Sequence, residues 1–251
     1  MEHIGERLIW HYLPGTDIPI PMGGVNVLTV LNTIIVMVFL WAVLWLAVRK
    51  QAKIPGGGQI LVEKFIVGFD NLVASSLELP TPQANRKFLP LIASLFLFLI
   101  IANFMGFPPS RLCDQPTADI SCTLALGRRA MGIATYCGIK AIGARGYFEE
   151  MLGPMWSQED AKGLANVAGK LSALFFFPLN VIGEMAKVVS ISFRLFGNII
   201  GGAIIIIVVS TLTFQFLFPI PLQLFFIFFV GAVQAFVFTM LTLTYIAVAI
   251  K

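Results

Sequence analysis

Five polar side chains recur at helical spacing in an otherwise apolar stretch of the chain. They are Asn180, Glu184, Lys187, Arg194 and Asn198, separated by 4, 3, 7 and 4 residues. At about 100° per residue, these spacings place all five on one narrow face of a helix. A polar stripe on a lipid-soluble helix is typical of a path for ions or for a charged substrate.

Arg194 is the residue of this stripe that points most directly to function. It has no acidic residue within one turn of its own helix, and a cation inside a membrane needs a partner that offsets the cost of its burial. The alternative interpretation is an arginine satisfied by backbone carbonyls within a helix bundle. Glu184 and Lys187 have an equally good structural explanation, which is an ion pair between residues i and i+3.

The composition indicates the environment of that helix. Of the 251 residues, 58% are apolar and 12% are charged, and the mean hydropathy is +0.89. A soluble domain carries about 25% charged residues, so the chain is expected to be an integral membrane protein. Two histidines and three cysteines are too few ligands for a metal centre. No cofactor is expected, and the net charge of +4 does not indicate binding to nucleic acid.

The apolar segments predict an all-α membrane protein with about five transmembrane helices in a single membrane domain, 1–251. A spanning helix needs about 20 apolar residues, and this length is met at 25–48, 88–107, 123–142, 171–213 and 222–250. The last two are longer than a bilayer requires, so they are expected to form a steeply tilted hairpin around the prolines at 219 and 221. The third span contains Arg128 and Arg129, which makes it the weakest of the five.

The remaining segments complete the predicted topology. The charged and apolar positions of 59–79 alternate as in an amphipathic helix that lies on the membrane surface. The segment 143–169 is expected to be a cytoplasmic loop that is partly helical. Basic residues follow the first span and precede the second, which places both of those ends in the cytoplasm. The amino-terminal segment 1–24 is therefore expected outside the cell and the carboxyl terminus in the cytoplasm.

Longer motifs of the chain resemble one family. The segments SISFRLFGNIIGG at 190–202 and GAVQAFVFTMLTLTYI at 231–246 are similar to subunit a of the membrane sector of the rotary F-type ATP synthase. The resemblance extends to PTADISCTLAL at 116–126, to Asn103 and to the pair Asn32 and Thr33. It covers most of the chain and implies a stator subunit in a bacterial inner membrane.

This resemblance implies ion transport that is coupled to rotation. In the family, subunit a lies beside a ring of c subunits, each with a membrane-embedded carboxylate, and assembles with the peripheral-stalk b subunits and the remaining synthase subunits. Two offset half-channels carry H+, or Na+ in some members, to and from the ring. ATP chemistry takes place on other subunits, so this chain is not expected to catalyse a reaction by itself. Its sequence does not decide between the two ions.

The resemblance also assigns roles to individual positions. Arg194 matches the essential arginine that faces the ring carboxylate, and Asn198 and Gln234 match polar positions beside it. An interhelical hydrogen bond is the alternative role for Gln234. Asp119 matches a position of the outer half-channel, and capping of the following helix is its alternative role. The other expected ion-pathway residues are Glu184 in the cytoplasmic half-channel, Tyr245 on the helix face of Gln234, and Lys187 and Asn180 on the polar stripe.

Two positions depart from the family pattern. Ala203 and Ile227 stand where members commonly carry the Glu or His residues of a proton relay. Asp119 and water are therefore expected to serve the outer half-channel. Cys113 and Cys122 flank Asp119 in a loop that is placed outside the membrane. The sequence allows either a disulfide between them or two free thiols.

Two other interpretations stay open at the level of sequence. A secondary transporter or channel could use Arg194 to bind an anionic substrate, but it would show inverted repeats and a helix interrupted near mid-membrane. The sequence shows neither feature. An assembly scaffold with no role in transport does not account for the polar stripe.

Overall fold

The protein is almost entirely helical over the residues that its computed structural model describes, namely 9–10, 25–49, 57–77, 85–106, 115–152, 164–213 and 219–250. Two short strands, β1 and β2, pair antiparallel ahead of the first helix. The elements are β1 Ile9–Trp10, β2 Val25–Asn26, α1 Val27–Arg49, α2 Gly57–Leu77, α3 Leu89–Phe104, a 3-10 turn at Pro116–Ala118, α4 Ile120–Ile142, α5 Ala144–Leu152, α6 Leu164–Leu212, α7 Pro219–Leu224, a π-helical segment at Phe225–Val230, and α8 Gly231–Ile250. The predicted all-α membrane fold is confirmed.

Three helical stretches among the described residues are long and apolar enough to cross a bilayer. They are Val27–Leu46, Phe176–Leu212 and Pro219–Ile250, the last of which runs without interruption through α7, the π-helical segment and α8. The sequence predicted about five spans. Of the other two, α3 has 16 residues and α4 carries two arginines, yet both pack against the long helices.

The ends of the long helices differ from the prediction for local chemical reasons. α6 begins at Leu164 rather than at 171, and α5 occupies another part of the predicted loop 143–169. The early start of α6 is consistent with a segment that contains good helix formers and no proline before Pro178. The last helical stretch begins at Pro219 itself. Proline is tolerated in the first helical turn because the N–H that it lacks would have no intrahelical partner at that position.

α8 lies at the centre of the bundle. Its residues Ala235, Phe238, Leu243 and Ile246 are fully buried, and they contribute to two apolar clusters with residues of α2, α3, α4 and α6. Between helices in a bilayer, side chains of this kind contribute van der Waals packing rather than removal of apolar surface from water. α8 therefore packs against four other helices of the bundle.

α2 presents its apolar side to this bundle. Phe69, Val73 and Leu77 are buried, and the ring of Phe69 lies 5.0 Å from that of Phe96 on α3, centroid to centroid. On the polar side, the carboxylate of Asp70 lies 3.4 Å from the guanidinium of Arg86. The amphipathic pattern of 59–79 is thus explained by packing against the protein, and its predicted place at the membrane surface stays a prediction.

Close contact between α4 and α6 fixes the helix that carries the polar stripe. A Cβ atom at Gly127 would lie 3.2 Å from the carbonyl oxygen of Val188, so a larger residue would force the two helices apart. Ile191 and Leu195 of α6 are buried in the same region. One side of α6 is therefore anchored in the bundle, and the opposite side is free to carry polar groups.

Candidate functional site

A hydrogen bond between two side-chain amides joins α6 to α8. The Nδ2 atom of Asn198 donates to Oε1 of Gln234 over 2.7 Å. Gln234 is only 5% exposed, and its Nε2 atom is buried without a hydrogen-bond partner among the described residues. A buried donor without a partner costs about 1–3 kcal/mol, so this site holds hydrogen-bonding capacity that the described residues do not use.

Arg194 lies one turn before Asn198 on α6 and points away from the bundle. The residue is exposed, whereas its neighbours Ile191, Ser192 and Leu195 are buried. Within the described part of the chain, the guanidinium forms no ion pair within 4.0 Å and no hydrogen bond. The alternative interpretation, an arginine satisfied by carbonyls of its own bundle, therefore has no support among the described residues.

Glu184 and Lys187 form the i,i+3 ion pair that the sequence allowed as an alternative. Nζ of Lys187 lies 2.6 Å from Oε1 of Glu184, while Oε2 of Glu184 is buried without a partner among the described residues. Nζ of Lys187 also lies 5.8 Å from the ring centroid of Tyr245, which is within the range of a cation–π interaction. The pair therefore links α6 to α8 at a second point, and one carboxylate oxygen stays available.

Asn180 serves the end of α5. Its Nδ2 atom donates over 2.8 Å to the backbone carbonyl of Met151, in the last turn of a helix where carbonyls lack intrahelical partners. The rings of Phe148 and Phe177 pack nearby, 5.7 Å apart. These contacts explain Asn180 as a structural residue of the α5–α6 junction, and its predicted place on the ion path stays a prediction.

Asp119 caps α4, as its alternative interpretation allowed. Its Oδ1 atom accepts the backbone N–H of Ser121 over 2.9 Å, and its Oδ2 atom accepts the hydroxyl of Thr29 on α1 over 3.1 Å. The carboxylate therefore joins α1 to the start of α4. No described contact connects it to Asn198 or Gln234, and its role in the outer half-channel stays a prediction.

The two positions that depart from the family pattern carry no ionisable group near the site. Ala203 is exposed on α6 and Ile227 is 7% exposed in the π-helical segment. A polar cluster nearby was given no role from the sequence. The buried side chain of Asn103 on α3 connects Thr117 to the backbone of Gly231. In the sequence, the signals for this cluster were an asparagine in an apolar helix and the family resemblance at Asn103 and at 116–126.

Two other predicted features lie away from these contacts. Arg128 and Arg129 are exposed on α4 and form no ion pair in the described part of the structure. The thiol of Cys122 is free, and Cys113 lies outside the described residues. The proposed disulfide between them therefore stays a prediction.

Comparison with known proteins identifies the family. Residues 30–247 match the family described as ATP synthase A chain. The chain is 37% identical to ATP synthase subunit a of Moorella thermoacetica over 247 residues, which cover 98% of this chain and 97% of the relative. The chain belongs to this family. It is also 31% identical to ATP synthase subunit a 1 of Syntrophotalea carbinolica, over 97% of this chain and 94% of that relative. It is 33% identical to ATP synthase subunit a of Nitratidesulfovibrio vulgaris (strain DP4), over 95% of this chain and 93% of that relative.

Membership in the ATP synthase A chain family decides between the interpretations that the sequence left open. The predicted resemblance to subunit a of the F-type ATP synthase is confirmed, as is the predicted role of an ion-channel subunit of the stator. The alternative of a secondary transporter that binds an anionic substrate is not supported. The helices and the relatives together indicate a bacterial membrane protein that is part of the ATP synthase complex.

Proposed function

We propose that Arg194 is the fixed positive charge past which the carboxylates of a c-subunit ring move during ion transport. The observation that carries this proposal is the outward position of an arginine for which the described chain provides no acidic partner. A membrane cation of this kind needs a compensating anion. A ring of identical carboxylates supplies one at every step of rotation.

The guanidinium is suited to this role because it stays charged. A guanidinium keeps its positive charge in proteins, so it stabilises each carboxylate in its ionised form. A permanent charge between the two half-channels also prevents ions from crossing directly from one to the other. Ion movement is thereby coupled to rotation of the ring, and rotation is coupled to ATP synthesis on other subunits.

Gln234 supports the arginine from α8. Its carbonyl oxygen is held by Asn198, and its Nε2 donor has no partner within the described residues. Such a preorganised donor stabilises charge without reorganising. In the assembled complex, this donor faces water or the ring carboxylate as the carboxylate exchanges its ion.

The two half-channels are expected to use different groups. On the cytoplasmic side, the free carboxylate oxygen of Glu184 provides an ion-binding position beside Lys187. On the outer side, Ala203 and Ile227 carry no relay group, so water and Asp119 conduct the ion. This arrangement assumes the predicted orientation, with the amino terminus outside and the carboxyl terminus in the cytoplasm.

Isolation of the assembled complex tests the proposed partner. Cysteine is introduced at position 194 and, one position at a time, around the membrane carboxylate of the small apolar subunit that copurifies. We expect oxidative cross-links between position 194 and the residues that flank that carboxylate, and none with the same residues when the cysteine stands at position 145, on α5. The proposal would be contradicted if the complex contained no such subunit. It would also be contradicted if cross-links formed only with the cysteine at position 145.

A further inference from the structure

Asn103 is the hub of a buried polar network between α3 and the start of α8. Its side chain is 3% exposed, and its Nδ2 atom donates over 3.0 Å to the backbone carbonyl oxygen of Gly231. On the other side, the hydroxyl of the fully buried Thr117 donates over 3.0 Å to Oδ1 of Asn103. Because that oxygen is held by a donor, the NH2 group of the amide must face Gly231.

The carbonyl that Asn103 binds lies at a special point of the chain. The six residues Phe225–Val230 form a π-helical segment, and α8 begins at the next residue, Gly231. π-Helical turns are rare and are often found at functional sites. They close each hydrogen-bonded ring with one residue more than an α-helix does, so the residues that follow are offset by one position from the register of a regular α-helix.

The contact leaves little room for movement. A Cβ atom at Gly231 would lie 3.2 Å from Cβ of Asn103, which means that the asparagine rests directly on the backbone of the helix. The backbone of α3 is itself fixed nearby, since Nε2 of Gln115 donates over 3.0 Å to the carbonyl oxygen of Asn103. The two helices therefore meet at this point through short, directional contacts.

Relaxation of the π-helical segment to α geometry would move everything that follows it. A shift of one residue in register turns an α-helix by about 100° and translates it by about 1.5 Å. Gln234 comes three residues after Gly231. A shift of that size would break the hydrogen bond of Gln234 with Asn198 and turn its free donor away from the face of Arg194.

We propose that Asn103 is a positioning residue that holds the π-helical segment and so sets the rotational register of α8. Its hydrogen bond to Gly231 fixes the point at which the chain returns to α geometry, and that point determines which side chain of α8 meets Asn198. The importance of this register for transport rests on the function proposed above. The register itself is a property of the fold and is measured independently of transport.

Cross-linking in the assembled complex measures the register. The three native cysteines are replaced by alanine, one cysteine is placed at position 198, and a second is placed at 233, 234 or 235 in separate variants. A short bis-methanethiosulfonate reagent then joins those pairs that face each other. With Asn103 intact, we expect the greatest yield for the pair 198 and 234.

Two substitutions remove the hydrogen bond in different ways. Asn103→Asp keeps the size of the side chain but replaces the donor with an oxygen that repels the Gly231 carbonyl, and Asn103→Leu removes all polar contact. In both variants, we expect the pair with the greatest cross-linking yield to change from 198 and 234 to 198 and 233 or 198 and 235. The ratio of these yields should change severalfold. Thr117→Val, which frees the amide to rotate, should produce the same change to a smaller extent. Thr242→Val is the matched control, because the hydroxyl of this buried threonine bonds only within α8.

The outcomes separate this proposal from the proposed function. Greatest yield at position 234 in both Asn103→Asp and Asn103→Leu would overturn the positioning role, whatever the transport activity. If either variant fails to assemble, the positioning role is tested with the other variant and with Thr117→Val. The readout is again the position that gives the greatest cross-linking yield with position 198. If the register moves in these variants while Arg194→Ala transports ions normally, the positioning role stands and the proposed function is wrong. When both proposals hold, ATP-driven ion pumping falls in Asn103→Asp complexes that assemble normally.

Discussion

The side chains of Asn198 on α6 and Gln234 on α8 are joined by a hydrogen bond of 2.7 Å. Lys187 lies eleven residues before Asn198 on α6, and Tyr245 lies eleven residues after Gln234 on α8. Lys187 lies against the ring of Tyr245. Equal offsets in opposite directions show that the two helices run antiparallel and are joined by two polar contacts, about 16 Å apart along the axis. Arg194 lies between these contacts and faces outward.

The first prediction concerns the contact at Gln234. We expect Gln234→Leu to abolish most ATP-driven ion pumping while the complex still assembles. A hydrogen bond between membrane helices is worth about 0.6–1.7 kcal/mol, which is too little to prevent assembly of a bundle with two apolar clusters. The matched control is Thr244→Ala, since the exposed hydroxyl of Thr244 bonds only to the carbonyl of Met240 on its own helix. Normal pumping by assembled Gln234→Leu complexes would show that this amide has only a packing role.

The second prediction separates the two interpretations of Glu184 and Lys187. We expect Lys187→Met to slow pumping, because it leaves the half-buried carboxylate of Glu184 without its cation. The double variant Glu184→Gln with Lys187→Met removes both charges. If the pair is only structural, the double variant assembles and pumps at the wild-type rate. If Glu184 is on the cytoplasmic ion path, as we predict, the double variant assembles but its pumping stays slow.

The third prediction uses the capping role of Asp119 to isolate its charge. Asparagine caps a helix about as well as aspartate does, so Asp119→Asn should preserve the start of α4 and the assembled complex. We expect it nevertheless to slow ATP synthesis at a limiting driving force, because the outer path loses its carboxylate. Asp119→Ala is the comparison variant, because it also removes the cap at a cost of about 0.5–2 kcal/mol. Equal synthesis rates in wild type and Asp119→Asn would contradict a role of Asp119 in the outer path.

Periodicity predicted the helices because a long apolar run has few alternatives to a helix in a membrane. The amphipathic pattern of 59–79 predicted α2 well, but it could not indicate that Phe69 packs on Phe96, since the same pattern suits a membrane surface or a protein surface. The start of α6 at Leu164 was missed because the charged residues of 143–163 suggested a loop that continued to the glycine at 169. Helix formation there does not require an apolar segment.

The site was predictable in part for a similar reason. Spacing placed Arg194 and Asn198 on one face of a helix, and the resemblance added Gln234 from a distant segment. Spacing along one helix could not show that Asn180 turns to the carbonyl of Met151, which is 29 residues away. The role of Asn103 depends on a π-helical segment, for which no sequence periodicity was available.

Arg194→Lys tests whether the geometry of the charge matters as well as its sign. Lysine keeps a positive charge, but it lacks the planar fork of the guanidinium and can lose its proton when it is desolvated. We therefore expect assembled Arg194→Lys complexes to pump ions at a small fraction of the wild-type rate, measured as ATP-driven acidification or Na+ uptake in membrane vesicles. Wild-type pumping in this variant would show that any cation suffices.

The measurement that tests the central claim most directly is ATP-driven ion pumping by vesicles that contain normally assembled Arg194→Ala complexes. Arg145→Ala is the matched control, because Arg145 is a surface residue whose side chain is 94% exposed and paired with Glu149. If Arg194 is the fixed charge that faces the ring carboxylate, Arg194→Ala abolishes pumping and opens a passive ion leak, whereas Arg145→Ala changes neither. Pumping at the wild-type rate in Arg194→Ala would contradict the account.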